Sequence, residues 1–140
     1  MSFVRILVHV VWGTKYREPI LVKDKREILF NHIRENAKSK SIHLLAIGGY
    51  EEHVHCLISL SSDQTIARTV QLLKGESSNW ANKRKLFSVK LIWADDYFAA
   101  SVSNRSVFQV RNYILHQERH HEKQLFDHEF NDFKGTHGFD

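Results

Sequence analysis

Two histidines one residue apart, His53 and His55, form the most chemically suggestive pair in the chain. If Val54 to Leu60 is a strand, a period of two sends both imidazoles to one face, about 7 Å apart along the strand. Val54, Cys56, Ile58 and Leu60 then make the other face apolar, so the histidines point away from the main core. Two imidazoles from one strand are half of a metal site. With ten His in 140 residues, a His-x-His spacing also arises by chance, so the pair alone does not define a site. Further along, Tyr113 and Gln117 are four apart and share one face if that segment is helical. An amide oxygen is an acceptable ligand for a hard cation, and two His with one Gln leave positions open for a substrate. A tyrosine beside such a cation is a candidate covalent nucleophile toward phosphorus. The plainer reading of Tyr113 is an amphipathic ring at the edge of a packed helix face.

These residues need elements to hold them. Phe3 to Trp12 alternates and reads as a strand, with Val4, Ile6, Val8 and Val10 on one face and Arg5, Leu7 and His9 on the other. A loop through Lys15, Tyr16 and Arg17 ends at Pro19. Asp24 then opens a helix with Glu27 completing a capping box, and Ile28, Leu29, Ile33 and Ala37 form its apolar stripe. Ile42 to Ile47 is a second strand, Gly48 to Glu52 a turn, and Val54 to Leu60 a third strand. Ser62 or Asp63 caps a second helix with the stripe Ile66, Val70, Leu73, Ser77 and Trp80, ended by Lys83, Arg84 and Lys85. A fourth strand lies within Leu91 to Val102, and a last helix spans about residues 105–123, with Val107, Val110 and Ile114 inward. The final seventeen residues are weakly patterned and are expected to wrap the surface. This order predicts a ferredoxin-like βαββαβ antiparallel sheet, an α/β fold of α+β type, with an added helix carrying the tyrosine. Strands one and three should be central, and the first two helices should cover one face.

Composition agrees with one folded domain over residues 1–140: 42% of residues are hydrophobic and 26% charged, which excludes disordered and collagen-like chains. A single Cys, Cys56, rules out an internal disulfide and a Cys-based zinc site. Without a signal-peptide pattern or a long apolar run, a cytoplasmic protein is expected. Residues 1–50 carry nine basic and four acidic groups, a bias that suits a polyanion such as nucleic acid.

The chain resembles the HUH-type single-tyrosine transposases of the insertion sequence 200/605 group, over nearly its whole length. The resemblance rests on His9-Val-Val-Trp-Gly-Thr-Lys-Tyr-Arg17, Glu52-His-Val-His-Cys-Leu-Ile-Ser59 and Leu73-Lys-Gly-Glu-Ser-Ser78. It continues in Ala100-Ser-Val-Ser103 and Val110-Arg-Asn-Tyr-Ile-Leu-His-Gln-Glu-Arg-His-His121. It implies that His53, His55 and Gln117 ligate Mg²⁺ or Mn²⁺. It also implies that Tyr113 attacks a single-stranded DNA phosphate, leaving a 5′-phosphotyrosine and a free 3′-OH. The implied partners are single-stranded DNA with hairpin ends and a second copy of the chain, in a homodimer whose active sites are shared between subunits. Two departures stand out: Glu52 where the family usually has Asp, and Asp95-Asp-Tyr-Phe-Ala-Ala100 where a Gly-rich stretch is usual.

Lys15, Tyr16 and Arg17 combine charge with a stacking ring, which suits single-stranded nucleic acid, although a solvated loop has the same composition. Lys74, Lys83, Arg84 and Lys85 suit hairpin phosphates, or simple solvation of a helix end. His9 is either a DNA contact near the site or a hydrogen-bonded sheet histidine. His120 and His121 read as surface residues, and Cys56 as an inert core thiol. Three other functions share these motifs: a REP-associated tyrosine transposase acting as a domesticated protein, a hairpin binder without chemistry, and a metal-dependent hydrolase.

Overall fold

Alternation in the first strand decides the layering of the molecule. In the computed structural model, which describes residues 2–117, β1 (Ile6–Gly13) sends Val8, Val10 and Trp12 to the main core. Leu7, His9 and Val11 go to the opposite face of the sheet. After β1 come a 3-10 turn (Lys15–Arg17), α1 (Lys23–Ser39), β2 (His43–Gly49), β3 (His53–Leu60), α2 (Ile66–Lys83), β4 (Phe98–Val102) and α3 (Val107–Leu115). The sheet order is β2-β3-β1-β4 with every neighbouring pair antiparallel. This is the expected ferredoxin-like arrangement with β1 and β3 central. α1 and α2 contribute Leu29, Ile33, Val70 and Leu73 to the main core, whereas α3 packs on the other face through Ile114.

Several boundaries differ from the sequence pattern for identifiable reasons. β1 starts at Ile6 because Ile6–Leu60 is the last pair it makes with β3, and Phe3 and Val4 before it are exposed. α1 begins at Lys23, one residue early, and the Asp24–Glu27 capping box is absent. Its entry is set instead by Leu21, fully buried, whose carbonyl accepts from Arg26 Nη1 at 2.7 Å. Ile28, expected on the buried stripe, is exposed; Phe30 and Arg26 take its place beside Leu29, Ile33 and Ala37. α2 is capped by Thr65, whose side chain accepts from the Arg68 amide, not by Ser62 or Asp63. α3 ends at Leu115, so the helix expected to run unbroken to residue 123 is interrupted at His116. There the Asn112 carbonyl accepts from both the backbone and the ring of His116, and the Tyr113 carbonyl is taken by the Gln117 side chain. Residues 118–140, including His120, His121 and the expected C-terminal wrap, lie outside the described residues.

β2 carries one irregularity that matters for the site. Leu44 pairs with Ile58 and Ala46 with Leu57, so Leu45 is an extra residue, a β-bulge. A one-residue insertion flips the parity of the rest of the strand. Ile47 therefore falls on the core side opposite Cys56, and Gly48 falls on the histidine side opposite His55.

The segment before β4 has no glycine to bend it and is strapped to α2 by side chains. Lys74 Nζ donates to the Ala94, Asp95 and Asp96 carbonyls, at 2.6, 3.3 and 3.3 Å. Trp93 Nε1 donates to Ser77 Oγ at 3.1 Å, and the Asn82 amide brackets Leu91 through both its backbone groups. Cys56 is fully buried, and burial pushes its thiol pKa far up, which keeps it protonated and unreactive. Among the described residues no helix is long and apolar enough to cross a membrane.

Candidate active site

Both histidines of β3 are buried on the face that α3 covers, and their rings lean together to 4.9 Å between centroids. The carboxylate of Glu52, Oε1, lies 2.9 Å from His53 Nδ1. On the neighbouring strand, His9 Nε2 lies 2.9 Å from His55 Nδ1, and both rings are 1% exposed. Each histidine of the pair thus has its Nδ1 engaged by a side chain from outside the pair. A ring nitrogen is fixed as donor or acceptor by what the other nitrogen bonds.

From the opposite side, Gln117 reaches into the same space and is 1% exposed. Its Nε2 donates to the Tyr113 carbonyl at 3.0 Å, which settles the orientation of the amide and turns Oε1 toward His53 Nε2, 3.1 Å away. With Nδ1 donating to Glu52, the Nε2 of a neutral His53 ring is an acceptor facing another acceptor. Such a pair repels unless a positive charge, a proton or a metal cation, stands at it. The separation also fits a cation, because adjacent ligands of a six-coordinate ion at about 2.1 Å are about 3.0 Å apart. Among the described residues no three His, Cys, Asp or Glu side chains form a metal-binding group; the third side chain that could serve as a donor beside the two histidines is the Gln117 amide. Two imidazoles, an amide oxygen and open positions suit a hard to borderline divalent ion.

Tyr113 stands beside this set, half-buried, with its ring edge-on to His55 at 5.6 Å and to His9 at 6.2 Å between centroids. Packing of Ile114, Val107 and Val110 against Leu7, Ala46, Leu57 and Val102 holds the helix there. Fully burying an isoleucine such as Ile114 contributes roughly 1.5–3 kcal/mol. One chain therefore brings Tyr113, Gln117, His53, His55 and His9 together without help from a second copy.

The proposed DNA contacts divide into two groups. Lys15, Tyr16 and Arg17 come just after Gly13, which pairs with His53, so they lie at the edge of the site. Tyr16 is 83% exposed, and Tyr16 and Arg17 both have left-handed backbone conformations that hold the turn. Lys83 and Arg84 end α2 in the helical layer, with the sheet between them and the imidazoles. Arg84 stacks on the Trp80 ring at 4.9 Å, and the Lys74 ammonium is committed to the 94–96 carbonyls. Two residues were missed by sequence reasoning as parts of the site. Glu52 was legible only as a substitution beside His53, and Gly48 gave no signal without the bulge.

Comparison with known proteins identifies the family of the chain. The profile of the family described as Transposase IS200 like matches residues 2–117. The chain is similar to the ISDra2 transposase TnpA of Deinococcus radiodurans, 30% identical over 122 residues that cover 83% of this chain and 84% of that protein. Among solved structures it is similar to a putative transposase from the same organism, with a TM-score of 0.63 and 26% identity, covering 81% of this chain and 91% of the other. The fold is also shared with a REP-associated tyrosine transposase bound to a REP hairpin, with a TM-score of 0.60 and 15% identity, covering 81% and 67% of the two chains.

Proposed function

Because the chain belongs to the IS200-like transposase family, we propose that it cleaves and rejoins single-stranded DNA at insertion-sequence ends through a covalent Tyr113 adduct. The observation that carries this reading is the convergence of Tyr113, Gln117 and the two strand histidines on one buried face. The phenolic oxygen of Tyr113 attacks the phosphorus, the bond from phosphorus to the 3′-oxygen breaks, and a 5′-phosphotyrosine ester remains. The phenol's proton ends, in net terms, on the departing 3′-oxygen. Since one phosphodiester replaces another, the linkage is kept for rejoining and no nucleotide cofactor is consumed.

A divalent cation, Mg²⁺ or Mn²⁺, held by His53, His55 and Gln117 would polarise a phosphoryl oxygen and offset the charge that develops there. The chain's own residues prepare for this. Glu52 and His9 orient the two imidazoles through their Nδ1 atoms, and the Tyr113 carbonyl orients the Gln117 amide. The Tyr113 backbone thus positions a ligand while its side chain supplies the nucleophile.

The substrate we propose is a DNA hairpin with flanking single strand. Exposed Lys15 and Tyr16 at the site edge support a single-stranded contact, with the Lys15 ammonium 5.5 Å from the Tyr16 ring. The fold relative solved on a REP hairpin is consistent with such a substrate. A homodimer is part of this reading. Sharing of sites between its subunits would require α3 to leave its own sheet, turning at residues 103–106. Incubating a labelled hairpin oligonucleotide with Mg²⁺ tests the function: an SDS-resistant protein–DNA adduct is expected from wild type and not from Tyr113→Phe. An equal adduct from Tyr113→Phe would refute the nucleophile.

A further inference from the structure

One close approach between α3 and the sheet is made at a residue with no side chain. A Cβ built on Gly48 would lie 1.9 Å from the Ile114 carbonyl oxygen, 2.9 Å from its carbonyl carbon and 3.3 Å from its Cγ2. Two of these three atoms are backbone, so no rotamer change relieves the overlap. An ordinary carbon–oxygen contact is about 3.3–3.6 Å, so a side chain at 48 would lift the helix by about 1.5 Å. We infer that Gly48 is the seat of the tyrosine helix, a positioning residue that fixes the depth at which Tyr113 and Gln117 meet the strand histidines.

Three features support a built seat. Gly48 sits beside His55 in the ladder, so the seat adjoins the site itself. It reaches that face only because Leu45 bulges; without the extra residue, the parity of β2 would place Ile47 there. Finally, the helix residue it touches, Ile114, lies next to Tyr113 in sequence and three residues before Gln117. A shift at Ile114 is therefore passed directly to both. Gly49 is close-packed for a different reason: its virtual Cβ meets the carbonyl of His53 at 2.3 Å, within the hairpin. Gly75 in α2 has nothing within 4 Å of such an atom and serves as a control.

The inference rests on the proposed function for its chemical consequence but not for its geometry, and the test separates the two. In the wild-type protein, a nuclear Overhauser contact is expected between the Gly48 α-protons and the Ile114 γ2-methyl; its absence would overturn the seat. In Gly48→Ala, amide hydrogen exchange should rise across residues 107–115 while β3 stays protected, and Gly75→Ala should match wild type. Mn²⁺ affinity, read by electron paramagnetic resonance, should fall in Gly48→Ala as far as in Gln117→Ala, and the double variant should fall no further. Adduct formation should drop about 100-fold, the scale of a 1 Å misplacement. A Gly48→Ala protein with wild-type exchange in α3 and wild-type Mn²⁺ affinity would refute the seat. A wild type that shows the Overhauser contact but forms no adduct would support the seat and refute the proposed function.

Discussion

His9 on β1 and His55 on β3 are joined ring to ring, Nε2 to Nδ1 at 2.9 Å, across two adjacent central strands. Val11 is the register partner of His55, so His9 is its diagonal neighbour on the same face. The bond makes one histidine of the sheet the support of another. Replacing His9 by Phe keeps an aromatic ring but removes the Nδ1 partner of His55. Stability should fall by about 1–3 kcal/mol in urea unfolding, the cost of leaving a buried polar atom without its bond. Mn²⁺ affinity should fall about 10–100-fold, as for other outer supports of metal ligands. Unchanged affinity would assign His9 to the sheet alone.

Glu52 offers the parallel case for His53. Glu52→Ala removes the carboxylate 2.9 Å from Nδ1 and should lower Mn²⁺ affinity about 10–100-fold. Glu52→Asp, which keeps the charge on a shorter arm, should retain most of it. Calorimetric titration with Mn²⁺ distinguishes the two; equal losses would show that reach, not charge, is what the position requires.

How far the sequence foretold this site depends on the residue. His53 and His55 were legible because a strand's period of two is unambiguous when Val54, Cys56, Ile58 and Leu60 fill the other face. The α2 stripe was legible in the same way, and it fixed the layer opposite the site. Gly48 was not, because a bulge leaves no mark in hydrophobic alternation: Leu44, Leu45, Ala46 and Ile47 are all apolar, and register alone shows which is extra. The break at His116 was hidden because the Gln117 side chain takes the Tyr113 carbonyl that a continuing helix would use for its backbone. Ile28 was misplaced since the tertiary entry through Leu21 and Arg26, not the helix pattern, set the rotation of α1.

Lys74 gives a pH-dependent prediction. Burial lowers its pKa from the usual lysine value, with Asp96 and Asp95 pulling it back in part. A folded pKa below the unfolded one means that the unfolded chain binds the proton more tightly, so the penalty holds at neutral pH and lifts as pH rises toward 10.5. The stability of wild type relative to Lys74→Met should therefore increase between pH 7.5 and pH 10 in urea unfolding. A difference that shrinks over that window would show that the folded protein raises the Lys74 pKa instead, its contacts with the 94–96 carbonyls and the two aspartates outweighing burial.

Lys15 stands exposed at the site edge and is expected to touch a phosphate. Lys15→Ala should weaken binding of single-stranded flanks and reduce the slope of log affinity against log salt by about 0.7. Lys74→Met, whose ammonium is already spent on carbonyls, should leave that slope unchanged. The reverse pattern would move the DNA path to the α2 side of the sheet.

The covalent bond itself admits the most direct test. An oligonucleotide carrying a hairpin and a cleavable flank is incubated with the full chain and Mn²⁺, and the adduct is digested with trypsin for mass spectrometry. The expected result is one nucleotide-bearing peptide, modified at Tyr113, with the released 5′ segment ending in a 3′-OH that a polymerase extends. A modification at Tyr16, Tyr50 or Tyr97, or repeated cleavage with no adduct at all, would contradict Tyr113 as the nucleophile.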